Sequence, residues 1–238
     1  MIVLGIDTST SATVVALRLP DGTAAEMRDD PAAGAHPGHA TRLLGMAAEL
    51  LDGAGVGWRE LDRIAIGAGP GAFTGLRVGV ASARGLAQSL ASELVAVPSL
   101  AALALTAPPG APVLAVIDAR RREVFAAPFA APDGPQLAPE AVLAPALLGE
   151  LLAAAGLEGE PVVAVGDGAV RYRQQLEAAG LAVAPDDGPE HLLRAAAICE
   201  LGAAAPAGGD YQLVLPEYLR RPDAELSQPA GVAGGEAR

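Results

Sequence analysis

Apolar positions along the first hundred residues fall into short blocks with two different periods. Ile2 to Thr8, Thr13 to Leu19 and Thr23 to Arg28 have the apolar density and turn punctuation of strands, the last two separated by Pro20-Asp21-Gly22. Two adjacent hairpins follow from that order. From His39 to Leu51 the period becomes helical, with Leu43, Leu44, Ala47, Leu50 and Leu51 on one face and Arg42 and Glu49 elsewhere. Arg63 to Ala68 reads as a strand, a glycine-rich turn follows, Thr74 to Leu90 is helical, and Leu94 to Val97 is a short strand. The helix from Thr74 has an apolar stripe (Leu76, Val80, Ala83, Ala87, Leu90). A second stripe of small residues (Val78, Ser82, Gly85, Ser89) would let another backbone approach closely.

After the proline-rich break Ala107 to Pro112 the pattern begins again. Strands are expected at Val113 to Ala119 and Glu123 to Phe129, joined tightly through Arg120, Arg121 and Arg122. Helices are expected around Ala146 to Ala155, near Val170 to Ala179 and from Glu190 to Ala203, with a strand at Pro161 to Val165. Two successive sets that open with paired strands hint at a duplicated α/β unit. The break places the domain boundary, giving lobes at 1–106 and 107–222. A tail at 223–238, rich in Gly, Ala and Pro from Ser227 onward, is expected to be disordered.

Composition narrows the chemistry. All 16 basic residues among the 238 are arginine, against 28 carboxylates, for a net charge of −12. Without lysine there is no Schiff base, no lysine nucleophile and no G-x-x-x-x-G-K-[ST] phosphate loop. The negative charge repels polyanions on average, so the isolated chain is expected to hold RNA poorly. Cys199 is the single cysteine and reads as a buried structural thiol in an alanine-rich segment, which excludes an internal disulfide and favours the cytoplasm. No secretory leader or membrane span is expected from the apolar runs.

Several residues are candidates for chemistry. Gly67-Ala68-Gly69-Pro70-Gly71-Ala72-Phe73-Thr74-Gly75 lies between a strand and a helix, where free amides favour an anion; the alternative is a tight turn with Thr74 capping the helix. Gly67, Gly69 and Ala72 have the dinucleotide spacing, but the run follows a later strand and the next carboxylate, Glu93, is 26 residues on. Asp7-Thr8-Ser9-Thr10 reads either as a phosphate-facing hairpin of the actin and sugar-kinase type or as a turn bonded to itself. Gly166-Asp167-Gly168 is an opposing phosphate hairpin or a plain turn. His36 and His39 lack the i, i+4 spacing of a helical metal pair, which makes them the surface entry to a helix.

Five segments together resemble the TsaB family, also called YeaZ, up to Arg220. They are Ile6-Asp7-Thr8-Ser9, Gly69 through Gly79, Val97-Pro98-Ser99-Leu100, Asp118-Ala119-Arg120 with Glu123-Val124-Phe125, and Pro216-Glu217-Tyr218-Leu219-Arg220. The resemblance implies an α/β chain with the actin-like ATPase (ASKHA, ribonuclease H-like) fold, in two lobes each with a mixed sheet flanked by helices. It implies a non-catalytic subunit in bacterial synthesis of N6-threonylcarbamoyladenosine at position 37 of tRNA. Its partners would be the catalytic paralogue TsaD and the ATPase TsaE, with a functional link to TsaC, and family members also form homodimers.

On that reading tRNA is reached only through the complex, and no metal or cofactor is held by this subunit alone. ATP and a divalent metal belong to the assembly. Leu43, Ala47, Leu50, Leu76 and Val80 are the expected partner interface; Asp7, Thr8, Gly69, Gly71 and Thr74 are the expected nucleotide or anion contacts. The H-x-x-x-H metal helix of TsaD is missing, no peptidase residues are present, and the first hairpin lacks the glycine of D-x-G-T. The competing reading is an independent actin-like ATPase or small-molecule kinase built on Asp7, Thr8 and Gly166 to Gly168.

Overall fold

Alternation along β1 (Val3–Asp7) sends Val3 to one face and Leu4 and Ile6 to the other, and every residue of the strand is buried. A strand apolar on both faces needs cover on both faces, and the architecture follows from that need. In the computed structural model, which describes residues 1–32, 34–207 and 210–220, β1 is the centre of a mixed sheet of five strands. The others are β2 (Thr13–Arg18), β3 (Ala24–Asp29), β4 (Arg63–Gly69) and β5 (Glu93–Pro98), in the order β3-β2-β1-β4-β5. β1, β2 and β3 pair antiparallel; β4 and β5 join in parallel.

A second sheet repeats this plan. It contains β6 (Val113–Arg120), β7 (Glu123–Phe129), β8 (Ala141–Leu143), β9 (Val163–Val165) and β10 (Ala182–Val183), in the order β10-β9-β6-β7-β8. Its first three strands are antiparallel and its last two parallel, so each strand has a counterpart in the first sheet. The duplicated unit hinted at by the paired strands is therefore visible in the topology.

Two helices, α1 (His39–Ala54) and α2 (Phe73–Leu90), cover the outer face of the first sheet with Leu43, Met46, Leu51 and Val80 against Leu4, Ile6, Val15 and Ile64. The outer face of the second sheet is covered by α4 (Leu148–Ala154), α5 (Asp167–Arg171) and α6 (Arg173–Ala178) through Leu148, Leu152, Tyr172 and Leu176. Between the sheets lie α3 (Ser99–Ala104) and α7 (Ala195–Ala204), in one continuous core with Val3, Val14, Ile117, Phe125 and Val165. The small side chains find their use in this middle layer. A Cβ added at Gly5 would lie 2.6 Å from both the Ala195 carbonyl and the Cys199 sulfur.

Both ends of α7 are tied to the first sheet. Glu26 of β3 accepts the Ala195 amide (3.2 Å) and an Arg194 guanidinium N–H, a carboxylate at a helix N-terminus. The buried Arg63 of β4 donates to the Gly202 and Ala205 carbonyls (2.7 and 2.8 Å) and pairs with Glu93. The division at 106/107 therefore separates the sheets but not the layers. α3, from the first stretch, packs on β6 and β7, whereas α7, from the second, packs on β1, β2 and β4.

The helix expected from Glu190 begins only at Ala195, after a 3-10 turn at Pro189–His191 and extended backbone at Leu192 and Arg194. The one expected at Val170 to Ala179 is two short helices that break at the buried Tyr172. Sequence reading missed α3, β8 and β10. Residues 223–238, expected to be a disordered tail, lie outside the described residues. Among the described residues no helix is long and apolar enough to cross a membrane.

Candidate functional site

Where β1 ends, the chain turns through Asp7, Thr8 and Ser9, all buried. One Asp7 carboxylate oxygen accepts both the Ser9 amide and the Ser9 hydroxyl at 2.7 Å, and the other accepts the Ser99 hydroxyl at 2.8 Å. Desolvation pushes the Asp7 pKa up, against the opposing pull of those hydrogen bonds and of the Arg28 charge. Gly67 lies so close beneath the carboxylate that any Cβ there would collide with it. Thr8 donates its hydroxyl to the Gly75 carbonyl at 2.8 Å, and Gly75 and Gly79 leave room for it against α2. Asp7 and Thr8 thus lock β1 to α2 and α3 and do not face open space.

The glycine run is a turn held from both sides. The Ala72 amide donates to the Ser9 carbonyl (2.7 Å), and the Glu217 amide donates to the Ala68 carbonyl (2.7 Å). Gly69, at φ +125°, is buried against the Glu217 backbone, and Gly71 packs on Ser9. Helix α2 opens at Phe73 with Ala72 at its cap position, so Thr74 is not the cap; it is exposed within the first turn.

A cavity of about 430 Å³ lies between the two sheets. Ser9, Thr10, Ser11, Gly71 and Thr74 line it from the first lobe, and Asp118, Arg120, Phe125 and Asp167 from the second. Asp167 follows Gly166, whose φ of +107° lets the chain turn against the Val116 carbonyl. The Asp167 carboxylate accepts the Asp118 amide at 3.0 Å, and its pKa is raised, chiefly by desolvation and further by the Asp118 charge. Gly166-Asp167-Gly168 thereby brings a carboxylate to the cavity opposite Ser9 to Ser11. Of the five expected anion contacts, Gly71 and Thr74 reach the cavity; Asp7, Thr8 and Gly69 do not line it.

The segment Pro216 to Arg220 straps the cavity mouth. Phe73 and Tyr218 stack with ring centroids 4.9 Å apart, and the Arg77 guanidinium sits 3.8 Å over Phe73 and donates to the Tyr218 hydroxyl at 3.0 Å. Arg220 reaches the second lobe, donating to the Ala119 carbonyl (3.0 Å) and pairing with Glu123 (2.9 Å). The residue pattern alone gave no role to Tyr218; its scarcity was the available signal, since the chain holds only three tyrosines.

The expected interface residues require a correction. Leu43, Ala47, Leu50, Leu76 and Val80 are all buried, none more than 8% exposed, against the first sheet or in the helix–helix seam above it. An apolar helical stripe in a single chain is first of all the face turned to its own core. The outward faces present Leu44 (51% exposed), Gly45 and Ala48 on α1, and Val78, Ala81, Ser82 and Gly85 on α2. Leu44, expected among the core-facing residues, belongs to this outer surface.

The histidines are separate. His39 bonds the Thr13 hydroxyl (2.9 Å), burial holding its pKa low against the Asp29 charge, and His191 bonds the Gly166 backbone and the Ala184 carbonyl. Burial also pushes the Cys199 thiol up to about 12.

The family model described as TsaD: tRNA N6-adenosine threonylcarbamoyltransferase matches residues 33–227. The tRNA threonylcarbamoyladenosine biosynthesis proteins TsaB of Haemophilus influenzae and Escherichia coli are each 38% identical, over 51% and 54% of this chain. The chain spans about half the length of these curated relatives, 51% and 55% respectively. The solved structure of YeaZ from Pseudomonas aeruginosa superposes with a TM-score of 0.76 at 31% identity, covering 92% of this chain and 99% of that one. The chain belongs to the TsaB/YeaZ family. The two-lobed actin-like ATPase fold implied by the resemblance is the fold of this TsaB/YeaZ member, with one mixed sheet in each lobe.

Proposed function

We propose that this chain serves tRNA N6-threonylcarbamoyladenosine biosynthesis as a non-catalytic subunit. It would pair with a TsaD-type catalytic paralogue and a TsaE-type ATPase, in a pathway that also uses TsaC. Family membership supports the process, and the state of Asp7 supports the division of labour. In an actin-like enzyme a carboxylate at this hairpin would orient the water of a nucleotide-bound metal. Here it is enclosed by Ser9, Ser99 and Gly67. Asp7 is therefore not placed to serve a magnesium–ATP complex, and we assign ATP and metal to the assembly.

Pairing is assigned to the outward face of α1 and α2, where Leu44, Gly45, Ala81 and Gly85 offer a low surface for close helix packing. Leu44→Asp combined with Ala81→Glu should abolish co-elution with the TsaD-type paralogue while changing stability by only about 0.5 kcal/mol. A complex that persists overturns the assignment. Leu43→Asp, one residue away, should instead unfold the chain by burying an unpaired charge.

The rival reading, an independent ATPase or small-molecule kinase, draws on Asp118 and Asp167 facing the cavity. Calorimetry of the isolated chain with magnesium and ATP separates the two, since stoichiometric binding with turnover would favour the enzyme.

A further inference from the structure

β6 and β7 are joined by a two-residue loop: Arg120 pairs with Glu123, and Arg121 and Arg122 lie between them. Loops of this length match the twist of their strands when both loop residues have positive φ, a conformation that Asn and Gly adopt easily and other residues resist. Here φ is 54° at Arg121 and 65° at Arg122, and Arg120, at a shift of register, has 63°. Among the described residues four non-glycine positions have positive φ, and three of them are these successive arginines. The chain uses glycine freely in such places, at nine other described positions. Backbone preference works against the residues found at this tip, so the selection for them must lie in what their side chains do.

All three arginines are exposed. Arg171 and Arg120 approach the Asp118 carboxylate at 3.4 and 3.5 Å, and Arg220 is anchored to Glu123 and the Ala119 carbonyl. Five of the sixteen arginines thus collect around one hairpin, with Asp118, Glu123 and Asp167 as the carboxylates bonded into it. Among the described residues five cations meet three carboxylates there, on a protein of net charge −12.

We propose that Arg120, Arg121 and Arg122, flanked by Arg171 and Arg220, grip the phosphate backbone of tRNA, so that this chain touches the RNA directly and not only through a partner. The proposal rests on the reading that the chain serves a tRNA modification. Guanidinium groups form forked hydrogen bonds to phosphate, and a protruding hairpin can enter a backbone crevice that a flat surface cannot. Such contacts fix the position of the RNA without reading its sequence. The overall negative charge makes the grip weak and steeply dependent on salt.

The test is fluorescence anisotropy of the full-length chain with a labelled, transcribed tRNA over a salt series. Wild type should bind with an affinity that falls as salt rises. Arg121→Gln with Arg122→Gln should bind about tenfold more weakly at low salt and lower the log–log slope by roughly 0.7–0.9 for each phosphate no longer neutralised. Arg121→Lys with Arg122→Lys should recover most of the affinity. Arg121→Gly with Arg122→Gly should lose binding like the glutamine pair yet raise the thermal midpoint by roughly 2–4 °C, because the left-handed turn is then relaxed.

Equal binding by wild type and the glutamine pair overturns the proposal. So does a glutamine pair that keeps tRNA but releases the TsaD-type paralogue, which would make the hairpin a contact for an acidic protein surface. Complementation of a strain lacking the native subunit tests the underlying reading separately. If wild type binds tRNA as expected but fails to restore threonylcarbamoyladenosine, that reading falls and the hairpin assignment stands.

Discussion

The first sheet has strands of five to seven residues roofed by helices of 16 and 18; the second, in the same strand order, has three strands of three, three and two residues beneath helices of seven, five and six. Their leading hairpins differ in the opposite sense. In the first lobe the polar residues after β1 turn inward and satisfy one another through Asp7, Ser9 and Ser99. In the second the corresponding turn carries three exposed arginines. One topology therefore supports two tasks, a rigid base under the α1–α2 surface and a lighter lobe that holds charged groups at the cavity.

The largest test of this contrast uses Leu4 and Leu114, which occupy matching positions on the outer faces of β1 and β6 and are both fully buried. Leu4→Ala should cost about 4 kcal/mol in urea unfolding and lower the whole transition. Leu114→Ala should cost about 3 kcal/mol, because short helices can settle into the space. Native-state hydrogen exchange should show amides of the second lobe opening before those of β1 and β4; equal protection would remove the distinction.

A smaller effect is expected at the inner faces. Gly5→Ala should destabilise by about 2 kcal/mol through collision with α7, whereas Ala115→Gly in the second sheet should cost about 1 kcal/mol through poorer packing and added chain freedom. Thermal melts of the two variants give the comparison directly.

A pH effect, no larger than that of Ala115→Gly, is expected where the lobes meet. Burial and the neighbouring Glu217 carboxylate raise the Glu140 pKa to about 7. The folded state then holds its proton more tightly than the unfolded state, so this contribution to stability is complete below about pH 4.5 and is lost as pH rises towards 7. Glu140→Gln should flatten that fall, by about 1 kcal/mol after allowance for solvent screening, in melts taken between pH 4.5 and 7.5. An unchanged profile would show that the pair does not couple the lobes.

Strands β1, β2, β4, β6 and β7 were legible because an unbroken apolar run of that length, bounded by turn residues, fits a buried strand better than any helix. α1 and α2 were legible because a 3.6-residue period held over four turns or more. The six-residue α3 is apolar nearly throughout, as befits a helix between two sheets, and so carries no period to detect. α7 is alanine-rich for the same reason, which hid its true start. β8 and β10 are short edge strands whose existence depends on the neighbour they pair with.

At the candidate site the sequence placed Ser9, Thr10, Gly71, Thr74 and Asp167 in segments that do meet at the cavity. It leaves Asp7 between a phosphate contact and a turn bonded to itself, and Asp7 is bonded to Ser9 in its own turn; nothing in a strand-end aspartate reveals that Ser99, 92 residues away, will close over it as well. The interface residues failed for a related reason: an apolar stripe announces that a face is covered without saying by what.

The anchoring of α7 to the first sheet has a consequence for synthesis on the ribosome. Glu26, Arg63 and Gly5 wait for a helix that emerges only after the whole second sheet has been made. Neither sheet can be sealed on both faces while the chain is still short, and the amino-terminal stretch cut off at the 106/107 break would leave the seat of α7 open to water. The repeated plan looks like two copies laid end to end, but it folds as an interlocked object in which α7, from the second stretch, completes the first sheet.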